Sequence, residues 1–169
     1  MSVSTLGPWA VTPEFRHQQL VSKMGIELVR CEPGLVIGTM PVDGNRQPVG
    51  IMHGGANAVL AETLGSLAAF LYTGPGGHAV GLDLSCTHHR WVAGGTVTGE
   101  ARPLHEGRTT ATYEIVITDS SGRRTCTARL TCAVSVRNHH RREANTPCAT
   151  APTAGPPPSR TPAAWPRRG

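Results

Sequence analysis

The sequence has no CxxC pair and no run approaching the ~20 apolar residues of a membrane span. Its first twenty residues, MSVSTLGPWAVTPEFRHQQL, lack a basic segment leading into a continuous apolar one. Each absence removes a class of protein. Cys31, Cys86, Cys126, Cys132 and Cys148 are odd in number and unpatterned, which disfavours a disulfide framework and a zinc knuckle alike. Reduced thiols in a cytoplasmic protein are expected instead. Neither a secretory signal nor a membrane span is in view, so the protein is expected to be soluble and intracellular. Apolar residues are also scarce, at 38% of 169 residues, although that length suits one compact domain.

The scarcity has a local origin. From Asn138 onward the chain reads NHHRREANTPCATAPTAGPPPSRTPAAWPRRG, which holds 7 of the 14 prolines and almost no aliphatic side chains. Such a stretch buries too little apolar surface to offset its ordering entropy. The expected organisation is therefore one domain over residues 1–137 and a disordered Pro/Arg-rich tail over residues 138–169. The tail also holds Arg141, Arg142, Arg160, Arg167 and Arg168 against Glu143, or +4 of the net charge of +5. The folded part is close to neutral, so the basic balance does not argue for a nucleic-acid partner.

Turn residues divide the domain into elements. Thr12 and Pro13 suit the start of a short helix near Thr12-Pro13-Glu14. Strands are expected over Ile26–Cys31 and Leu35–Pro41, joined through Glu32-Pro33-Gly34 as a hairpin. A polar loop, Val42–Ile51, leads to the one long helical run, Gly55–Leu71, which Thr73-Gly74-Pro75 should stop. The GPGG beyond it follows a helix, not a strand, and so fails as a dinucleotide fingerprint. Four β-rich stretches come next: His78–Trp91, Thr96–Leu104, Thr109–Thr118 and Arg124–Val136. In the last, Cys126, Ala128, Leu130, Cys132 and Val134 share one face, which makes the two cysteines small core residues. Asp119-Ser120-Ser121-Gly122 reads as a hairpin turn. One helix followed by an antiparallel meander argues α+β, with the sheet covering the helix.

The helical run carries the chemistry. Between Ile51 and Tyr72 there is one formal charge, Glu62. A glutamate in a helix is ordinarily a solvated surface residue. Here the helical neighbours on its face are Gly55, Ala58, Val59, Gly65, Ser66 and Ala69, where a solvated face would carry long charged side chains. Leu60, Leu64, Leu67 and Leu71 form the opposite, core stripe. Glu62 is therefore expected at a protein or ligand contact. At the helix start, His53-Gly54-Gly55 presents backbone N–H groups that would stabilise a developing oxyanion, although a tight loop-to-helix turn needs the same glycines. Gly54 and Glu62 lie eight residues apart, about 12 Å along one helix at ~1.5 Å per residue. If both act on one carbonyl, they come from different subunits.

The stretch QPVGIMHGGANAVLAETLGSLAAF, with MPVDGNRQPVGIMHGG, AVGLDLSCTHHR and RPLHEGRTTATYEIVITDSSGR around it, resembles the hotdog-fold acyl-CoA thioesterases. The likeness covers most of Met24–Val136. It is to the branch containing the Arthrobacter-type 4-hydroxybenzoyl-CoA thioesterase, the phenylacetic-acid-pathway thioesterases and 1,4-dihydroxy-2-naphthoyl-CoA thioesterase. The resemblance implies an antiparallel β-sheet wrapped around one long central helix, and hydrolysis of an acyl-CoA thioester, an aromatic one foremost, to free acid and CoA without a cofactor. It implies Glu62 as nucleophile or general base, and the Gly54 N–H as the group polarising the thioester carbonyl. His53 and Gln47 would position the thioester and the attacking water or leaving group, from the subunit opposite Glu62, with Ser66 orienting the carboxylate or the water. It further implies CoA binding by Gly81, by His88, His89, Arg90 and Trp91, and by His105, Glu106, Gly107, Arg108, Thr109 and Thr110. Arg90 and Arg108 have the fork geometry that phosphates favour. The implied assembly is a homo-oligomer, a dimer at least, with a dimer of dimers (a homotetramer) preferred.

Two other functions compete. An enoyl-thioester hydratase on the same fold needs a histidine with an acid partner, whereas this helix offers a carboxylate. A non-catalytic acyl-CoA-binding module would have no need of Glu62. A metal site is disfavoured because His88 and His89 face opposite sides of a strand and His139-His140 lies in the tail. No membrane or nucleic-acid partner is expected, and the acyl group is not fixed by the sequence.

Overall fold

The computed structural model describes residues 19–135. Within them, two helices and six strands follow in the order α1 (Gln19–Lys23), β1 (Glu27–Glu32), β2 (Leu35–Pro41), α2 (Gly54–Thr73), β3 (His78–His88), β4 (Thr96–Glu106), β5 (Thr110–Thr118) and β6 (Arg124–Ser135). The strands form one antiparallel sheet in the order β1-β2-β4-β5-β6-β3, with β1 and β3 at its edges. The sheet packs on α2, and every strand touches that helix. This is the α+β hotdog arrangement expected from the sequence. The expected helix start at Thr12 and the tail from Asn138 lie outside the described residues.

Local chemistry sets the element ends. His53 caps α2: its Nδ1 accepts from the Gly55 N–H at 2.8 Å, satisfying one of the donors a helix start leaves unpaired. Gly74, at φ +65°, turns the chain out of the other end, and Pro75 bars continuation. The helix thus begins one residue before the expected Gly55 and runs two past Leu71. The β5–β6 turn forms as expected around Asp119. Its Oδ1 accepts from the N–H groups of Ser121 and Arg123, each at 3.0 Å, and Gly122 takes φ +78°. Strand β3 stops at His88, short of the expected Trp91. The reason is that the amides of His89 and Arg90 both donate to one acceptor, Thr125 O, at 2.8 and 3.2 Å. Successive residues of an extended strand point their amides to opposite sides, so the backbone has already turned there.

The packing of α2 corrects one expectation. Leu60 and Leu64 are fully buried, but Leu67 and Leu71 are only partly so. The buried arc instead turns toward Ala61, Gly65, Ala68 and Ala69. Gly65 lies where a Cβ would meet Leu130 at 2.7 Å and Ile115 at 3.3 Å, so its bare backbone admits those two side chains. The small residues assigned above to the face around Glu62 therefore divide, with Gly65 and Ala69 packing on the sheet. Glu62 stands at the border of that arc, where the helix meets edge strand β3.

Candidate active site

Two groups of residues flank α2. The first surrounds its N-terminus. The loop Val42–Ile51 is pinned by the buried Asn45, whose Nδ2 donates to Met24 O at 2.8 Å and Pro41 O at 2.9 Å. Asn45 O in turn accepts from the His53 N–H, and Met52 N donates to Val92 O at 2.7 Å. These bonds bring Gln47 over the helix start. A cleft of about 330 Å³ opens there, lined by Gln47, Met52, Gly54 and Asn57 and by the run from His88 to Trp91. His88 reaches in from the end of β3. Its Nε2 lies 2.9 Å from the point where a side chain on Gly54 would begin, so only glycine allows this approach. Asn57 Nδ2 lies 3.5 Å from His88 Nδ1.

The second group surrounds Glu62, which is half-buried. Ser66, one turn on, donates from Oγ to Glu62 Oε1 at 3.1 Å. Gly81 of β3 passes directly beneath, and a Cβ there would collide with that same Oε1. Cys132 is the cross-strand partner of Gly81 and is fully buried. Burial pushes its thiol pKa up, as does the nearby Glu62 charge. Burial likewise pushes Cys126 up to about 12. Both β6 thiols are accordingly protonated core groups.

The other expected CoA-binding residues divide between the β4–β5 hairpin and the cleft. His105–Thr110 forms the β4–β5 hairpin end, held from inside by two phenols. Tyr113 OH donates to Glu106 Oε1 at 2.9 Å and Tyr72 OH to Gly107 O at 3.3 Å. Arg90 and Arg108 are exposed, and neither joins an ion pair among the described residues. Trp91 is 71% exposed at the rim of the cleft, and His89 Nε2 meets Thr127 Oγ1 at 2.9 Å. So Gln47 and Gly54 converge with His88–Trp91, and Glu62 converges with Ser66 and Gly81. The two groups remain at different turns of one helix. His53 borders the first as the helix cap. Sequence reasoning overlooks two buried amides: Asn57, whose only signal is an asparagine inside an apolar helical run, and Asn45, which looks ordinary in a polar loop. Among the described residues no three histidine, cysteine or acidic side chains gather as a metal site. No described helix is long and apolar enough to cross a membrane.

Comparison with known proteins gives this geometry a context. The model of the Thioesterase superfamily matches residues 49–126. A relative from Klebsiella pneumoniae, named proofreading thioesterase EntH, is 53% identical over 116 residues, covering 68% of this chain and 85% of the relative. A protein of the same name from Cronobacter sakazakii is 49% identical over the same shares. Among solved structures, a thioesterase from Haemophilus influenzae aligns with TM-score 0.66 at 40% identity, over 71% of this chain and 85% of that one. A hypothetical thioesterase from Streptococcus pneumoniae, solved with coenzyme A, aligns with TM-score 0.64 at 25% identity, over 72% of this chain and 94% of that one.

Proposed function

The chain belongs to the thioesterase superfamily and is an enzyme, a thioester hydrolase, and from that premise we propose that it cleaves acyl-CoA thioesters, aromatic ones foremost, with Glu62 as the reacting carboxylate. The observation that carries this reading is the setting of Glu62. It is the one charge between Ile51 and Tyr72, it is held by Ser66, and a strand glycine leaves room for its carboxylate. As nucleophile, Glu62 attacks the carbonyl carbon and expels the CoA thiolate, and water then opens the resulting anhydride. As general base, it takes the proton of the water that attacks directly. Either course puts negative charge on the carbonyl oxygen. The Gly54 N–H, at the positive end of the helix dipole and with His88 Nε2 close beside Gly54, would receive that charge. Gln47 and His53 would position the thioester, while Arg90 and Arg108 would take CoA phosphates.

One chain does not complete this site. Gly54 and Glu62 are separated by about 12 Å along α2 at ~1.5 Å per residue, and Glu62 is not among the residues lining the cleft at Gly54. The site is therefore proposed to join the Gly54 end of one chain to Glu62 of a second, in a homo-oligomer that is a dimer at least. Edge strand β3 supports such an association, since it leaves Val80 66% and Leu82 63% exposed beside Gly81.

The test is release of CoA from benzoyl-, phenylacetyl- and fatty acyl-CoA, followed with a thiol reagent. Fastest turnover of the aroyl thioester supports the aromatic assignment, and fastest turnover of a fatty acyl thioester refutes it. The relatives' name favours a second reading of substrate, in which the enzyme clears wrongly attached acyl groups from thioesters. That reading predicts similar kcat/KM for many acyl groups in the same panel.

A further inference from the structure

Asn57 sits in the second turn of α2 and is 6% exposed. Its side-chain oxygen is buried and has no hydrogen-bond partner among the described residues. The only polar partner of its carboxamide there is Nδ1 of His88, at 3.5 Å. A buried amide with one bond made and one acceptor left unpaired is a poor choice for packing, because an unpaired buried acceptor destabilises the fold and an apolar residue of the same shape would not. Among the described residues, what a polar side chain gains at this position is its hold on His88. The contact is long, as hydrogen bonds near a reacting centre often are before substrate tightens them.

The geometry points to Asn57 as the positioning residue of His88. An amide N–H donated to Nδ1 requires a lone pair on that nitrogen, so the proton of the neutral ring sits on Nε2. Nε2 is the atom that lies against Gly54 in the cleft. Asn57 thus fixes both the tautomer and the aim of the imidazole, so that Nε2–H is presented in the cleft beside Gly54. The inference rests on the reading of that cleft as the thioester site. His53 does not substitute for His88, because it caps the helix at Gly55 and is not among the residues that line the cleft.

The test uses the full chain labelled with 15N in histidine, with His88 assigned by its loss in His88→Gln. Above the imidazole titration range, wild-type His88 should show a bare Nδ1 and a protonated Nε2. Asn57→Leu removes the donor while keeping the branched four-atom side chain and should leave a mixture of tautomers. With benzoyl-CoA its kcat should fall about tenfold, less than the ~100-fold or more that loss of an oxyanion donor costs, with KM little changed. In the His88→Gln background the same substitution should have no further effect. A proton on Nδ1 in the wild type would overturn the assignment, and so would an equal effect of Asn57→Leu in both backgrounds. If the wild type releases no CoA at all, the substrate reading fails and the 15N spectrum alone decides the Asn57 contact. Should Asn57→Leu not fold, Asn57→Asp takes its place. A carboxylate beside Nδ1 draws the proton there, and an unmoved His88 signal in that folded variant would refute the contact.

Discussion

Glu62 is held by one hydroxyl and faces one glycine, and both contacts have consequences. Glu62→Ala should leave the protein folded and lower turnover by ~100-fold or more, the usual scale for losing a catalytic group. Near-normal kcat in a folded variant would remove Glu62 from the mechanism. Asp119 does a different job. Bonds from Ser121 and Arg123 hold its carboxyl pKa well below the ordinary 3.8. A lowered folded-state pKa means stability that is present above the unfolded value and lost as pH falls below it. Denaturation from neutral pH down to acid should therefore show a loss below about pH 4 that is smaller in Asp119→Asn, provided the turn carries this term. Identical acid limbs in the two proteins would show that it does not. The sequence made Glu62 visible because a lone charge in an apolar helix is costly. It left Asn57 and His88 apart, since 31 residues separate them and only the pairing of β3 with β6 brings the end of β3 back to the helix start.

At the scale of elements, strand boundaries and the turn at Asp119 were legible from turn residues and alternation. The β6 face was read residue for residue, and Cys126, Ala128, Leu130, Cys132 and Val134 are all buried. The orientation of α2 was less legible, because a helical wheel ranks residues by side-chain apolarity and gives glycine and alanine no weight. A sheet that curves around a helix selects instead for close approach. Leu64 shows this directly. It lies between paired Gly38 and Gly99, where added Cβ atoms would fall 2.8 and 2.6 Å from its two methyl groups. Hemmed in on both sides, it has nowhere to turn. Gly99→Ala should therefore destabilise the fold by about 1–3 kcal/mol, the range for overpacking a close-packed core. Urea denaturation measures this, and an unchanged midpoint would mean that the helix shifts freely over the sheet.

At the scale of the whole molecule, composition separates a domain from the sequence after Arg137. A chain ending near Arg137 is predicted to keep its melting temperature and its thioester hydrolysis, because the removed residues are too poor in aliphatic side chains to contribute to a core. A marked drop in either quantity would mean that the removed residues dock on the domain. The assembly is the larger question. Gln47 and Gly54 line a cleft at one end of α2, and Glu62 lies two turns away against β3. The central claim is that a second chain supplies the missing half. Mixing Glu62→Ala with Gln47→Ala subunits tests it most directly, because each is expected to be poorly active alone. Random pairing makes about half the dimers mixed, each with one intact site of two, so co-refolding should restore about a quarter of wild-type hydrolysis. No recovery, with mixed dimers established by native mass spectrometry, would place Gln47 and Glu62 on the same chain's site and contradict the account.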